Sequence, residues 1–137
     1  VRVYFDSSSF AKRFIDELGS DAVEEICTKA TALGLSIFCV SEIVSALNRR
    51  QRKNSITQSQ YKKAKGRLIE DVRDADLVNL TTSVISSSLA ILERTPVRTL
   101  DALHIACALE WKAELFVSSD NRQIKAAKQA GLNIQEV

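Results

Sequence analysis

Val1-Arg2-Val3-Tyr4-Phe5-Asp6-Ser7-Ser8-Ser9 is a β-rich run that ends abruptly on an acid and three serines. Valine, tyrosine and phenylalanine suit a pleated strand, whereas Asp and Ser suit a turn or a helix cap. The same grammar recurs along the chain. A helical pattern with Phe10, Phe14, Ile15 and Leu18 follows and stops at Gly19. Ser20 then caps a helix whose apolar face is Ala22, Val23, Ile26, Ala30 and Leu33, with Gly34 as its stop. Leu35 to Val40 reads as a buried strand, and Ser41 caps a third helix that turns basic at its far end. Thr57 starts a charged helix to about Asp74. Leu77 to Leu80 is a strand, Thr82 caps a helix, and Pro96 marks a loop. Thr99 caps an almost wholly apolar helix from Leu100 to Trp111. Glu114 to Ser118 is a strand, Asn121 to Ala130 a helix closed by Gly131, and Asn133 to Val137 a last strand.

Strands that alternate with helices from end to end specify an α/β fold with a mainly parallel sheet. At 137 residues, with 45% hydrophobic and 26% charged side chains, the chain fits one domain, residues 1–137, and disorder is excluded. No apolar run approaches the roughly 20 residues of a membrane span. No charged-then-apolar leader opens the chain, and Cys27, Cys39 and Cys107 are odd in number and set in apolar stretches. The expectation is a cytoplasmic protein whose cysteines are small buried hydrophobes.

The net charge of +2 conceals an asymmetry. Arg49, Arg50, Arg52, Lys53, Lys62, Lys63, Lys65 and Arg67 occur between Ile43 and Ile69 without a single acid, leaving the remainder at −6. Such an arm suits a polyanion or an acidic partner; two solvated helix faces are the plainer alternative.

Right-handed crossovers put the C-terminal ends of parallel strands on one rim, where such sheets bind ligands. Asp6 follows the first strand, Glu42 the second and Asp120 the fourth, while Asp101 opens the apolar helix. Each acid alone reads as a helix cap. Together they would repel one another unless a cation joined them, and oxygen-only ligands favour Mg²⁺ or Mn²⁺ over Zn²⁺. A carboxylate cage of that kind suits phosphodiester hydrolysis. Other chemistries lack their parts. No second Asp lies two residues after Asp6, no phosphoacceptor follows Leu80, and the four glycines form no phosphate loop. The only histidine, His104, sits on the apolar helix and reads as a packed or supporting residue.

These motifs resemble those of PIN-domain ribonucleases of the kind that form the toxin half of VapBC toxin–antitoxin pairs. The likeness rests on Val3-Tyr4-Phe5-Asp6-Ser7-Ser8 with Ala11-Lys12-Arg13-Phe14, and on Ser41-Glu42-Ile43 leading to Ala46-Leu47. Leu100-Asp101-Ala102-Leu103-His104-Ile105-Ala106 and Phe116-Val117-Ser118-Ser119-Asp120 complete it, in matching order and spacing. The resemblance implies a three-layer α/β/α fold and a Mg²⁺- or Mn²⁺-dependent endoribonuclease. Asp6, Glu42, Asp101 and Asp120 would be its acidic, metal-holding cluster, with hydroxyls at Ser8 and Ser118 in support. It also implies homodimerisation and inhibition by a small VapB-like antitoxin that covers the groove. The eight basic residues from Arg49 to Arg67 become candidates for gripping RNA. Where many relatives carry a further acid after the fourth motif, this chain has Asn121-Arg122-Gln123, a departure that bears on a second metal site. A nuclease for DNA or for RNA processing, and a non-catalytic scaffold on the same fold, remain alternatives.

Overall fold

A computed structural model describes all residues from Val1 to Val137. Five strands form one sheet: β1 (Arg2–Phe5), β2 (Ala32–Ser36), β3 (Asp76–Val78), β4 (Leu115–Ser118) and β5 (Ile134–Glu136). Their order is β3-β2-β1-β4-β5, and every pair is parallel. Seven helices connect them: α1 (Ser7–Ala11), α2 (Ser20–Lys29), α3 (Cys39–Arg52), α4 (Gln58–Arg73), α5 (Thr82–Arg94), α6 (Thr99–Trp111) and α7 (Asn121–Gln129).

The two-residue period of a strand divides the sheet between two cores. On one face Val3, Phe5, Leu35 and Val117 pack against Phe10, Val23, Ile26, Ile43, Leu47 and Leu68 from α1 to α4. On the other, Tyr4 and Phe116 pack against Val84, Ile91, Ile105, Ala106 and Ala127 from α5, α6 and α7. The result is the three-layer α/β/α architecture with a parallel central sheet. Strands β1 and β4 are buried on both faces, which explains why they read as continuous apolar runs. Helix α6 is apolar around its circumference, and all residues from Ala102 to Ala108 are buried. Cys39 and Cys107 are buried, Cys27 is half-buried, and all three are free thiols. No helix is long and apolar enough to cross a membrane.

Several boundaries differ from the sequence reading. The helix expected through Leu18 is only α1 followed by turns. Helix α2 ends at Lys29, not at Gly34, and Gly34 lies inside β2, where it pairs with Tyr4 and Asp76. The segment from Cys39 to Val40, expected to finish the strand, already belongs to α3. Ser41 therefore lies inside the first turn of α3 rather than at its cap, which is Phe38. Thr81, not Thr82, caps α5, and Arg98, not Thr99, occupies the cap position of α6. Thr57 does cap α4, in a reciprocal box with Gln60.

The strand order switches between β1 and β4, which remain parallel. Both β1 and β2 run into the α1–α4 layer, while β4 continues into α7 on the opposite face. The crevice beyond the carboxyl ends of β1 and β4 is thus the switch point at which open α/β sheets bind ligands.

Candidate active site

Asp6 is the first residue beyond β1 and the cap of α1. It is 2% exposed, and none of the ion pairs in the chain includes it. Uncharged donors hold its carboxylate instead. Oδ1 accepts from the Ser9 amide at 2.9 Å, from Ser9 Oγ at 2.6 Å and from Ser8 Oγ at 3.2 Å. Oδ2 accepts from Ser118 Oγ at 2.6 Å.

Ser118 ends β4 and connects two of the acids. Its hydroxyl donates to Asp6 and accepts from the Asp120 amide at 3.1 Å. Asp120 caps α7, with Oδ1 accepting from the amides of Arg122 at 2.8 Å and Gln123 at 3.3 Å. Gln123, itself buried, reaches across and donates to the Asp101 carbonyl at 3.1 Å. That bond ties the first turn of α6 to the first turn of α7. Asp101 and Asp120 consequently line one cleft of about 400 Å³, together with Pro96, Val97, Arg98, Asn121 and Arg122. The Asp101 carboxylate lies 3.5 Å from Arg98 Nε.

Glu42 sits in the first turn of α3 and has a separate set of partners. Its Oε1 accepts from Ser7 Oγ at 2.5 Å and lies 2.8 Å from His104 Nε2. Burial pushes this carboxyl up, but the bonds from His104 and Ser7 outweigh it and hold the group below its ordinary value. Behind it, His104 Nδ1 lies 2.9 Å from the Tyr4 hydroxyl.

The four acids and Ser8 and Ser118 therefore lie along one rim, as two small groups rather than one cage. Their all-oxygen chemistry fits a hard divalent cation, and Asp6 is a buried anion whose charge no basic side chain offsets. Each carboxylate nevertheless has its own local partner, and no three His, Cys, Asp or Glu side chains gather into a metal-holding group.

The basic arm is split. Arg50 is engaged by Glu17 at 2.6 Å and Arg67 by Glu24 at 3.4 Å. Arg49, Arg52, Lys53, Lys62, Lys63 and Lys65 are exposed and make no ion pair. Arg98 and Arg122, neither of them a candidate site residue from the sequence, line the acidic cleft. Their signal was available as cations three residues before Asp101 and two after Asp120. The sequence reading treated Ser7 and Ser9 as turn residues, whereas both are buried donors to the acids.

A family model described as PIN domain matches residues 3–129. No curated protein sequence gives a significant match. Among solved structures, the sarcin-ricin loop cleaving toxin VapC20 of Mycobacterium tuberculosis is similar at TM-score 0.72 and 16% identity, covering 98% of each chain. A chain of the DNA-bound VapBC of Salmonella typhimurium is similar at TM-score 0.71 and 11% identity, covering 99% of this chain and 98% of that one. A chain of VapBC2 from Rickettsia felis, bound to a promoter DNA fragment, reaches TM-score 0.69 at 8% identity, covering 100% and 99%. At such identities the likeness is one of fold. The family model, by contrast, spans β1 to the end of α7 and includes every acid on the rim, and on that ground the chain belongs to the PIN domain family.

Proposed function

We propose that the protein is a metal-dependent endoribonuclease and the toxin of a VapBC-type toxin–antitoxin pair. The observation that carries the chemistry is Asp6: a buried carboxylate at the switch point of the sheet, fixed by four hydrogen bonds from uncharged donors and opposed by no cation. A folded chain tolerates a buried anion poorly unless it is paired, so this position is suited to a positively charged guest.

Asp6, Glu42, Asp101 and Asp120 would hold Mg²⁺ or Mn²⁺. The ion supplies water activation and charge stabilisation on the phosphoryl oxygens. Ser118 and Ser9 keep Asp6 in one rotamer. Arg98 and Arg122 on the lips of the 400 Å³ cleft neutralise the backbone phosphates that flank the reacting bond. Arg49, Arg52, Lys53, Lys62, Lys63 and Lys65 extend a sequence-blind, salt-sensitive grip along α3 and α4.

The toxin assignment draws on the VapC and VapBC neighbours and on a groove beside the site. That groove, about 180 Å³, has an apolar floor of Ala11, Ile15, Ile43, Ala46 and Leu47, edged by Ser8 and the Glu17–Arg50 ion pair, and suits an apolar segment of a VapB-like antitoxin. Homodimerisation, which the family resemblance implies, belongs to the proposal.

The test is cleavage of RNA with Mg²⁺, with chelator, and with Asp6→Asn. Asn keeps the shape and most of the hydrogen bonds, so the variant folds; cleavage falls by at least about a hundredfold. Absence of RNA cleavage refutes the nuclease reading; cleavage that survives the chelator refutes its metal dependence, and cleavage that Asp6→Asn leaves undiminished refutes this site.

A further inference from the structure

The polar group behind Glu42 is closed by a count of protons. Tyr4, Ser7 and His104 are buried in the second core and at its rim. Ser7 has one hydroxyl proton, and the 2.5 Å contact directs it to Glu42 Oε1. Ser7 Oγ, 3.2 Å from His104 Nε2, is then an acceptor toward the ring. Glu42 Oε1, 2.8 Å from the same nitrogen, is an acceptor as well. A nitrogen facing two acceptors must carry the proton. In neutral imidazole the other nitrogen is then bare, and Nδ1 meets the Tyr4 hydroxyl at 2.9 Å as an acceptor. The reverse tautomer would set Nε2 lone pair against carboxylate and leave Tyr4 without its acceptor.

The ring has no freedom to escape this arrangement. Phe38 packs on one side at 4.7 Å between centroids, and Tyr4 meets its edge at 6.0 Å. Glu42 is thereby anchored through Oε1 alone. Oε2 makes no hydrogen bond within the chain, and the side chain is 29% exposed.

We infer that His104 is a positioning residue: held as the Nε2–H tautomer by Tyr4, it fixes Glu42 through Oε1 and thereby selects Oε2 as the oxygen offered to the site. The hydrogen-bond assignment stands on the geometry; its catalytic consequence rests on the nuclease reading above. A residue that only filled space at this point of α6 would be served by any side chain of similar volume, whereas this role requires a donor at the Nε2 position.

Two measurements test it. His104 is the only histidine, so ¹⁵N NMR of histidine-labelled wild type at about pH 8, where free imidazole is neutral, reports on this ring alone. The expected spectrum has a protonated Nε2 and a bare Nδ1; a proton on Nδ1 overturns the inference whatever the protein's activity. Second, His104→Gln places an amide donor near Nε2, while His104→Asn reaches only the Nδ1 position. With both variants folded by circular dichroism, Gln retains kcat for RNA within about threefold, and Asn loses about 10- to 100-fold in kcat at unchanged KM. Equal rates in the two variants overturn the inference and confine His104 to packing. Absence of cleavage by wild type refutes the nuclease reading separately, and the NMR result then still decides the assignment.

Discussion

Gly34→Ala is a small change whose effect reverses sign with one distant residue. Gly34 lies in β2 between Leu33 and Leu35, which face the first core. On the opposite face the indole of Trp111, at the end of α6, covers the backbone. A Cβ added at Gly34 would stand 2.6 Å from Trp111 Cε3 and 2.8 Å from Cδ2 and Cζ3. Relief to ordinary contact requires the ring to retreat by roughly 1 Å. It is not free to do so. Trp111 Nε1 donates to Asp76 at 3.0 Å, and the Arg2 guanidinium stacks on the ring at 4.0 Å while donating to the Trp111 carbonyl at 2.6 Å. Overpacking of this kind costs about 1–3 kcal/mol. Against it, Ala is better than Gly in a strand by roughly 0.5–1 kcal/mol. The midpoints of these two ranges give an expected net loss in wild type of about 1 kcal/mol, a fall of several degrees in Tm. In a Trp111→Leu background the clash is gone, and Gly34→Ala becomes neutral or stabilising, for a coupling of about 1–3 kcal/mol. Urea unfolding of the four proteins in the cycle measures it. Equal destabilisation in both backgrounds refutes the packing argument.

Two further outcomes are expected. Burial pushes the Cys39 thiol up to about 12 and the Cys107 thiol up to about 11, against about 8.5 in an unfolded chain. The folded values lie above the unfolded ones, so the thiols' contribution is complete below about pH 8.5 and is lost as pH rises toward those values. The urea midpoint should therefore fall through this window, and Cys39→Ala should flatten the fall; a midpoint constant to pH 11 counts against it. For the cleft, Arg98→Gln and Arg122→Gln should each weaken RNA binding without sequence preference and reduce the slope of log K on log salt by about one. An unaltered slope in both variants removes these arginines from the phosphate grip.

The same glycine marks where sequence reading reaches its limit. The alternation of strands and helices was legible because buried parallel strands and amphipathic helices impose different apolar periods, and the β1 run and the fully apolar α6 were plain in the chain. Around Gly34 the local signals were ambiguous. Glycine after an apolar helical face reads as a stop, and Leu35 to Val40 satisfies the pattern of a buried strand. What decides the register is the parallel pairing of Ala32, Leu33 and Gly34 with Arg2, Val3 and Tyr4, and the indole that needs the missing side chain. Both are tertiary facts, carried by residues far away in the chain. The cap of α5 slipped for a milder reason, since Thr81 and Thr82 could serve equally, whereas α3 and α6 start at Phe38 and Arg98, which make no side-chain cap bond for a sequence to announce.

In the site, the acids were legible and their partners were not. Three carboxylates just past strand ends and a fourth opening an apolar helix stand out because charge is costly there; the serines beside them look like ordinary turn residues. Yet the identity of those partners determines what the site is able to do. Had Asp6 been met by Lys or Arg, the pair would be internally neutral, and a cation arriving at the crevice would have to displace a side chain already bound. Ser9 and Ser118 fix the same oxygens at 2.6 Å without cancelling their charge. Hydroxyl and amide donors lower the cost of burying the anion while leaving its field directed into the crevice, which is the condition for electrostatic preorganisation. Glu42 differs from Asp6 in that Ser7 and His104 hold only Oε1, while both oxygens of Asp6 are hydrogen-bonded. Arg98 and Arg122 stand on the exposed lip of the cleft, where Arg98 pairs with Asp101 and neither arginine pairs with the buried Asp6.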